Sequence, residues 1–152
     1  MIMIIINITL VLASFTFMEF VAWSTHKYIM HGPLWFLHKD HHIKNNDSFF
    51  ELNDFFAVIF GLPGIVFLFW GISAGFDKVF FWIGLGISLY GLAYFTAHDV
   101  FIHQRIRLLR NSNKKYFRAM RRAHKIHHKH IQKENGECFG FLWVPKKYFD
   151  TV

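Results

Sequence analysis

Eleven histidines stand among the 152 residues, and ten of them fall into two copies of one pattern. In the first copy His26 and His31 are separated by four residues, and His38, His41 and His42 then read H-x-x-H-H. In the second, His98 and His103 are separated by four, and His124, His127 and His128 again read H-x-x-H-H. Helical positions i, i+3 and i+4 share a face, so each H-x-x-H-H can aim three imidazoles at one place. An i, i+5 pair lies about 140° apart on an ideal helix, which suits ligands entering a site from either flank or serving different metals. Ten converging imidazoles cannot all be protonated near neutral pH, nor all be buried without partners. Divalent metal resolves both difficulties, because neutral imidazole is a ligand and two ions can use most of ten nitrogens. Imidazole admits Zn, Cu, Fe or Ni alike. Cys138 is the only cysteine, which excludes a disulfide within the chain, thiolate-built zinc sites and iron–sulfur clusters. His130, in "HKH" among lysines, reads as a solvated residue outside the pattern.

The elements that must carry these residues are apolar. The chain is 53% hydrophobic, 20% aromatic and only 18% charged. Runs from Met1 to about Trp23, Phe55 to Ile72 and Val79 to Ala97 are each close to the ~20 residues that cross a bilayer as a helix. The first has neither a basic leader nor a clear cleavage site and is read as a retained span. The expected fold is an all-α integral membrane protein, one domain over residues 1–152. It has three to four transmembrane helices and a cytoplasmic, histidine-rich helical cap. The fourth span is left open because "GLPGI", with Pro63 between glycines, predicts a kink or break. Three spans put both histidine clusters on one membrane face, as a shared site requires.

Charge sorts the same way. Of 17 Lys and Arg, only Lys78 falls on the side carrying residues 73–78; the rest flank the histidines. That asymmetry places the histidines in the cytoplasm and the N-terminus outside. It reads the net charge of +7 as a topology signal and lipid-facing skirt rather than a nucleic-acid surface. Helix 1 is expected to run on as far as Met30, a short helix to pass through His38 to Ile43, and "KNNDS" to turn. The third span should continue through "HDVFIHQRIRLLR" as a protruding helix. After the turn and N-cap residues of "NSNKK", a further helix is expected from Lys114 to Ile131. It presents Phe117, Met120, His124, His127, His128 and Ile131 as one stripe. "ECFGFLWVP" should pack under the cap or lie at the interface, with Trp143 suited to that depth. Glu19, late in the first span, is either functional or snorkelling.

The doubled HX4H…HXXHH arrangement resembles the membrane fatty acid hydroxylase/sterol desaturase superfamily. The words "EFVAWSTHKYIMHG", "HDVFIHQR", "AHKIHH" and "GECFGFLWVPKKY" resemble its bacterial beta-carotene hydroxylase branch. The resemblance implies a non-haem di-iron monooxygenase that uses O2 to hydroxylate C3 of the beta-ring, taking beta-carotene through cryptoxanthin to zeaxanthin. It implies two iron ions ligated by His26, His31, His38, His41, His42, His98, His103, His124, His127 and His128. Carboxylates should orient the ring N–H groups, and Asp40 and Asp99, each adjacent to a ligand, are the candidates. It further implies a lipid-soluble carotenoid entering between spans 2 and 3, along their Phe- and Trp-rich faces. An external electron donor such as ferredoxin would dock on the Arg105–Lys129 surface, and the bacterial inner membrane is the implied location. A fatty acid or sterol hydroxylase or desaturase of the same superfamily is the alternative. A histidine-rich metal transporter ranks below it, since transporters bind near the bilayer midplane.

Overall fold

Residues 1–43, 48–76, 78–108 and 112–150 are described by a computed structural model. Their regular structure is entirely helical. Helix α1 (Ile2–Thr25) passes without a break into a π-helical turn, His26–Met30. After the Gly32-Pro33 turn comes α2 (Trp35–His42), which stops one residue short of Ile43. Residues 44–47, within the expected polar turn, lie outside the described residues. A 3-10 turn, Leu52–Asp54, opens α3 (Phe55–Ala74). Gly75, at φ 103° and ψ 141°, takes a backbone conformation that glycine alone adopts readily and ends α3. Helix α4 (Val79–Phe95) then passes into a second π-helical turn, Thr96–Ile102.

Among the described residues three helical stretches are long and apolar enough to cross a membrane: Ile2–Met30, Leu52–Ala74 and Val79–Ile102. The question of a fourth span closes here, because α3 runs unbroken through Pro63. Apolar spans tolerate proline where neighbouring helices and local adjustment satisfy the freed carbonyl. Side chains such as Phe17, Ile65, Phe69 and Leu92 face outward on all sides, as expected of helices solvated by lipid. With no hydrophobic drive between helices in lipid, close backbone approach holds them together. Helix α4 packs against both α1 and α3. A Cβ on Gly84 would sit 2.7 Å from the Leu68 amide nitrogen of α3, and one on Gly86 would strike Ser14 of α1.

The protruding helix expected after the third span does not form. The π turn ends at Ile102, and Gln104 takes a left-handed φ of 56°. Its side-chain amide donates to the carbonyl of Phe101 at 2.7 Å. The chain reverses there, and the Arg105 amide returns to the Asp99 carbonyl at 2.9 Å. Residues 109–111 lie outside the described residues.

Helix α5 (Lys115–His127) begins with Lys114 at the cap position and no side-chain cap bond. It ends four residues before Ile131, which is exposed and leaves the stripe. Ala119, Met120, Ala123, His124 and His127 form its buried face. Phe117 lies against Phe101 with ring centroids 4.8 Å apart, and the Arg121 guanidinium caps the same Phe101 ring. The C-terminal segment folds under this cap as expected, with Phe139 and Phe141 buried and Trp143 exposed.

Candidate metal centre

The i, i+5 pairs are where local structure departs furthest from an ideal helix. His26 and His98 each begin or lie within a π-helical turn, and the amide of the second histidine donates to the carbonyl of the first. His31 reaches His26 at 3.1 Å and His103 reaches His98 at 2.9 Å. A π turn is wider by one residue, so i and i+5 stack one above the other instead of diverging by about 140°. Their ring centroids lie 5.2 Å and 4.5 Å apart.

Nine of the ten patterned histidines gather into two groups, in each of which one nitrogen per ring lies within 4.8 Å of the others. The first holds His26, His31, His38, His42 and His127; the second holds His41, His98, His103 and His124. His128 lies between them. Its Nε2 is 2.8 Å from that of His124, and its ring is 4.7 Å from those of both His41 and His42. His130 belongs to neither group. Each group draws on both sequence clusters, so one H-x-x-H-H does not serve one ion: His41 and His42, adjacent in sequence, separate into different groups.

Hydrogen bonds behind the rings settle which nitrogen faces inward. His26 Nδ1 donates to the Phe139 carbonyl at 2.9 Å, His31 Nδ1 to that of Lys133 at 3.2 Å and His127 Nδ1 to that of Glu137 at 2.9 Å. His38 Nδ1 donates to Asn53 Oδ1 at 2.7 Å. In the second group the acceptors are carboxylates: Glu51 for His41 at 2.8 Å and Asp99 for His98 at 3.2 Å. A neutral imidazole that donates from Nδ1 carries a lone pair on Nε2. Those lone pairs point at one another: His26 to His38 at 3.1 Å, His31 to His127 at 3.3 Å and His41 to His98 at 3.1 Å.

Lone pairs at that distance repel unless a cation lies between them. Two nitrogens bound at about 2.0–2.1 Å to one ion stand roughly 2.9 to 3.4 Å apart for octahedral to tetrahedral angles. The donor set therefore fits two divalent ions. Burial keeps the rings neutral, and the neighbouring imidazoles add to it. His38 is pushed down to about 2, and His42, His127 and His128 to about 3. His41 and His124 are driven well below the usual range by the same causes.

Arg105 fastens the second group from behind. It pairs with Glu51 at 2.8 Å, Asp54 at 2.7 Å and Asp99 at 3.2 Å. Glu51 and Asp54 also cap each other's backbone across the 3-10 turn. An apolar cleft between α1, α3 and α4 opens onto this group. Met30, Phe60, Tyr90, Tyr94 and Phe141 are among its walls and His98 stands at its end.

The fatty acid hydroxylase profile matches residues 11–151. The chain belongs to the fatty acid hydroxylase family. Among its curated relatives, the beta-carotene hydroxylase of Paracoccus sp. (strain PC1) is 39% identical over 138 residues, 90% of this chain and 83% of the relative. That of Pantoea ananas is 39% identical over 139 residues, 91% of this chain and 78% of the relative. The chloroplastic beta-carotene hydroxylase 2 of Capsicum annuum is 38% identical over 132 residues, 86% of this chain but 42% of the longer plant protein. No solved structure matches.

In this member of the family, Asp99 lies where a ring-orienting carboxylate was expected, but Asp40 does not. Two positions on from His38, Asp40 faces about 200° around α2, and its Oδ2 accepts from the Leu52 amide at 2.5 Å. Sequence reasoning missed Glu51, Asn53 and Arg105 as supports, since each lies far from the ring it serves along the chain. The polar cluster "ELND" just before an apolar run was the available signal. Arg105 also leaves the expected donor-docking surface, because its guanidinium turns inward. Glu19 is neither a ligand nor a snorkelling group. Its Oε1 accepts from the amides of Phe141, Leu142 and Trp143 at 3.0, 2.9 and 2.9 Å, and Tyr90 donates to its Oε2 at 2.8 Å.

Proposed function

We propose that this chain, acting as a single domain over residues 1–152, is a carotenoid beta-ring 3-hydroxylase. It converts beta-carotene through cryptoxanthin to zeaxanthin with O2 and two electrons per hydroxyl. One oxygen atom enters the C–H bond and the other leaves as water. The ten patterned histidines hold two iron ions: His26, His31, His38, His42 and His127 on one side, His41, His98, His103 and His124 on the other, with His128 between. The observation that carries this reading is the set of Nε2 lone pairs facing one another about 3 Å apart, at the end of an apolar cleft. The relatives' names supply the substrate class.

Iron bound there supplies the activation of O2 and the oxidising power for an unactivated C–H bond. The protein's share is placement. Glu51 and Asp99 hold the Nδ1 protons of His41 and His98, fixing the tautomer and strengthening Nε2 as a donor. Phe141 and Tyr94 close the cleft around His98, with Tyr94 stacked on that ring at 5.0 Å. Their apolar faces exclude water from the carbon to be oxidised and seat the puckered cyclohexene end group beside His98. The reducing equivalents come from a separate electron donor such as ferredoxin. It docks on exposed Arg107, Arg118, Lys125 and Lys129, whose charge an acidic partner would complement. The histidine face is cytoplasmic, by the Lys and Arg asymmetry, and the membrane is the bacterial inner membrane.

Iron-loaded protein in lipid vesicles, given beta-carotene, ferredoxin and a ferredoxin reductase, should yield cryptoxanthin and then zeaxanthin. Turnover of a fatty acid or sterol with none of beta-carotene would move the reaction to the alternative substrate.

A further inference from the structure

Six glycines lie inside α3 and α4, and packing accounts for four of them. A Cβ on Gly64 would meet the Ser88 hydroxyl at 2.9 Å, and on Gly71 the Phe81 backbone at 2.5 Å; Gly84 and Gly86 are equally crowded. Gly61 and Gly91 differ: a Cβ at either would meet nothing within 4 Å. Neither has a positive φ, so neither needs glycine for its backbone. A glycine at a helical position that alanine could fill costs about 1 kcal/mol. Both residues line the apolar cleft that ends at His98.

Their placement is informative. Helices α3 and α4 run antiparallel, and Gly64 lies against Ile87 and Ser88, a register that puts Gly61 level with Gly91. Gly91 is seven residues before His98 on α4, on the order of 10 Å along the helix. Gly61 is similarly distant from Asn53, at the histidine end of α3. The helices are in close contact at Gly64, and a turn nearer the histidines Gly61 and Gly91 both line the cleft with no side chain to fill it.

We infer that Gly61 and Gly91 form a lateral portal through which an apolar chain threads from the bilayer, leaving its terminal ring beside His98. The inference rests on the proposed carotenoid substrate for the identity of that chain. A cyclic end group fills the short cleft, and the polyene that follows has to leave it; the paired glycines provide the exit into lipid.

Gly61→Leu and Gly91→Leu test this, with Gly61→Ala and Gly91→Ala alongside. Three readouts apply to each iron-loaded variant: beta-carotene turnover in vesicles, labelling of the cleft wall at Met18 and Tyr90 by a hydrocarbon diazirine, and melting temperature with metal content. The leucine variants should lose labelling and drop kcat/KM by about tenfold or more, while metal content holds and melting does not fall. The alanine variants should melt higher than the parent. Labelling unchanged in both leucine variants, or absent in the parent, overturns the portal. A parent that is labelled, and loses labelling in the leucine variants, yet yields no hydroxylated carotene, leaves the portal standing and overturns the substrate.

Discussion

The amide of His103 donates to the carbonyl of His98 at 2.9 Å, an i to i+5 bond that turns the end of the third span into a π helix. His31 makes the same bond to His26. Four intervening residues are what a single π turn encloses, so HX4H is the spacing that brings two imidazoles to one face. Removing one residue would leave an i, i+4 pair, which an α turn also keeps on one face. Adding one gives i, i+6, about 240° apart on an α-helix, and should swing the second ring off the site. Tyr28 is exposed and marks the place for an inserted alanine. We expect the insertion variant to enter the membrane normally and to retain one ion per chain instead of two. Metal analysis of the purified protein checks this, and two retained ions would show that the turn does not position His31.

Arg105 gathers Glu51, Asp54 and Asp99, and two of these carboxylates hold His41 and His98. Removing a guanidinium from such a cluster leaves acids facing one another with little water to separate them, at about 3 kcal/mol or more. Lysine cannot replace it, because a point charge does not reach three carboxylates as a planar fork does. Both Arg105→Met and Arg105→Lys should therefore lower the melting temperature. Each should speed loss of metal to a chelator by about 10- to 100-fold. The first group, backed by carbonyls and Asn53, should keep its ion longer than the second.

Much of this site was legible because its information is local. Three apolar runs mark the spans, with a fourth left open until α3 proved unbroken through Pro63, and H-x-x-H-H fixes a helical face. What stayed hidden required knowing which distant residues meet. Asp40 and Asp99 look equivalent in sequence, each beside a ligand. Only the rotation of α2 sends Asp40 to the Leu52 amide, while the π turn keeps Asp99 beside His98. The continuation of the third span failed at Gln104, whose left-handed backbone no propensity signals. Nor could spacing reveal that His41 and His42 serve different groups.

Proton competition sets a pH window. His38 is held at about 2, and His42, His127 and His128 at about 3, chiefly by burial. An unfolded histidine titrates near 6.5. Between those limits the unfolded chain binds more protons than the folded one, so stability rises with pH through the window. These groups contribute fully above about 6.5 and lose that contribution steadily as the pH falls toward 3. Metal binding reinforces the trend, since its ligands must be neutral. The loaded protein should melt at a constant temperature from pH 8 to 7, then lose stability and metal together below about 6. Melting that rises on acidification would contradict the assignment of these rings as neutral.

Glu19 links the first span to the segment that backs the first histidine group. Its carboxyl accepts three consecutive amides, from Phe141 to Trp143. Just upstream, the Phe139 carbonyl holds His26, while Phe141 stacks on the same ring with planes 8° apart. Glu19→Ala strands those amides and the Tyr90 hydroxyl, at a cost on the order of 3 kcal/mol. It should free residues 137–143 to proteolysis and weaken metal retention by His26 and its neighbours. Glu19→Gln keeps a carbonyl oxygen for the amides, and its NH2 can donate to the Tyr90 oxygen. The glutamine variant should therefore resist protease nearly as the parent does. A catalytic or ligating carboxylate would give the opposite pattern, with glutamine as damaging as alanine to activity and no change in cleavage of the C-terminal segment.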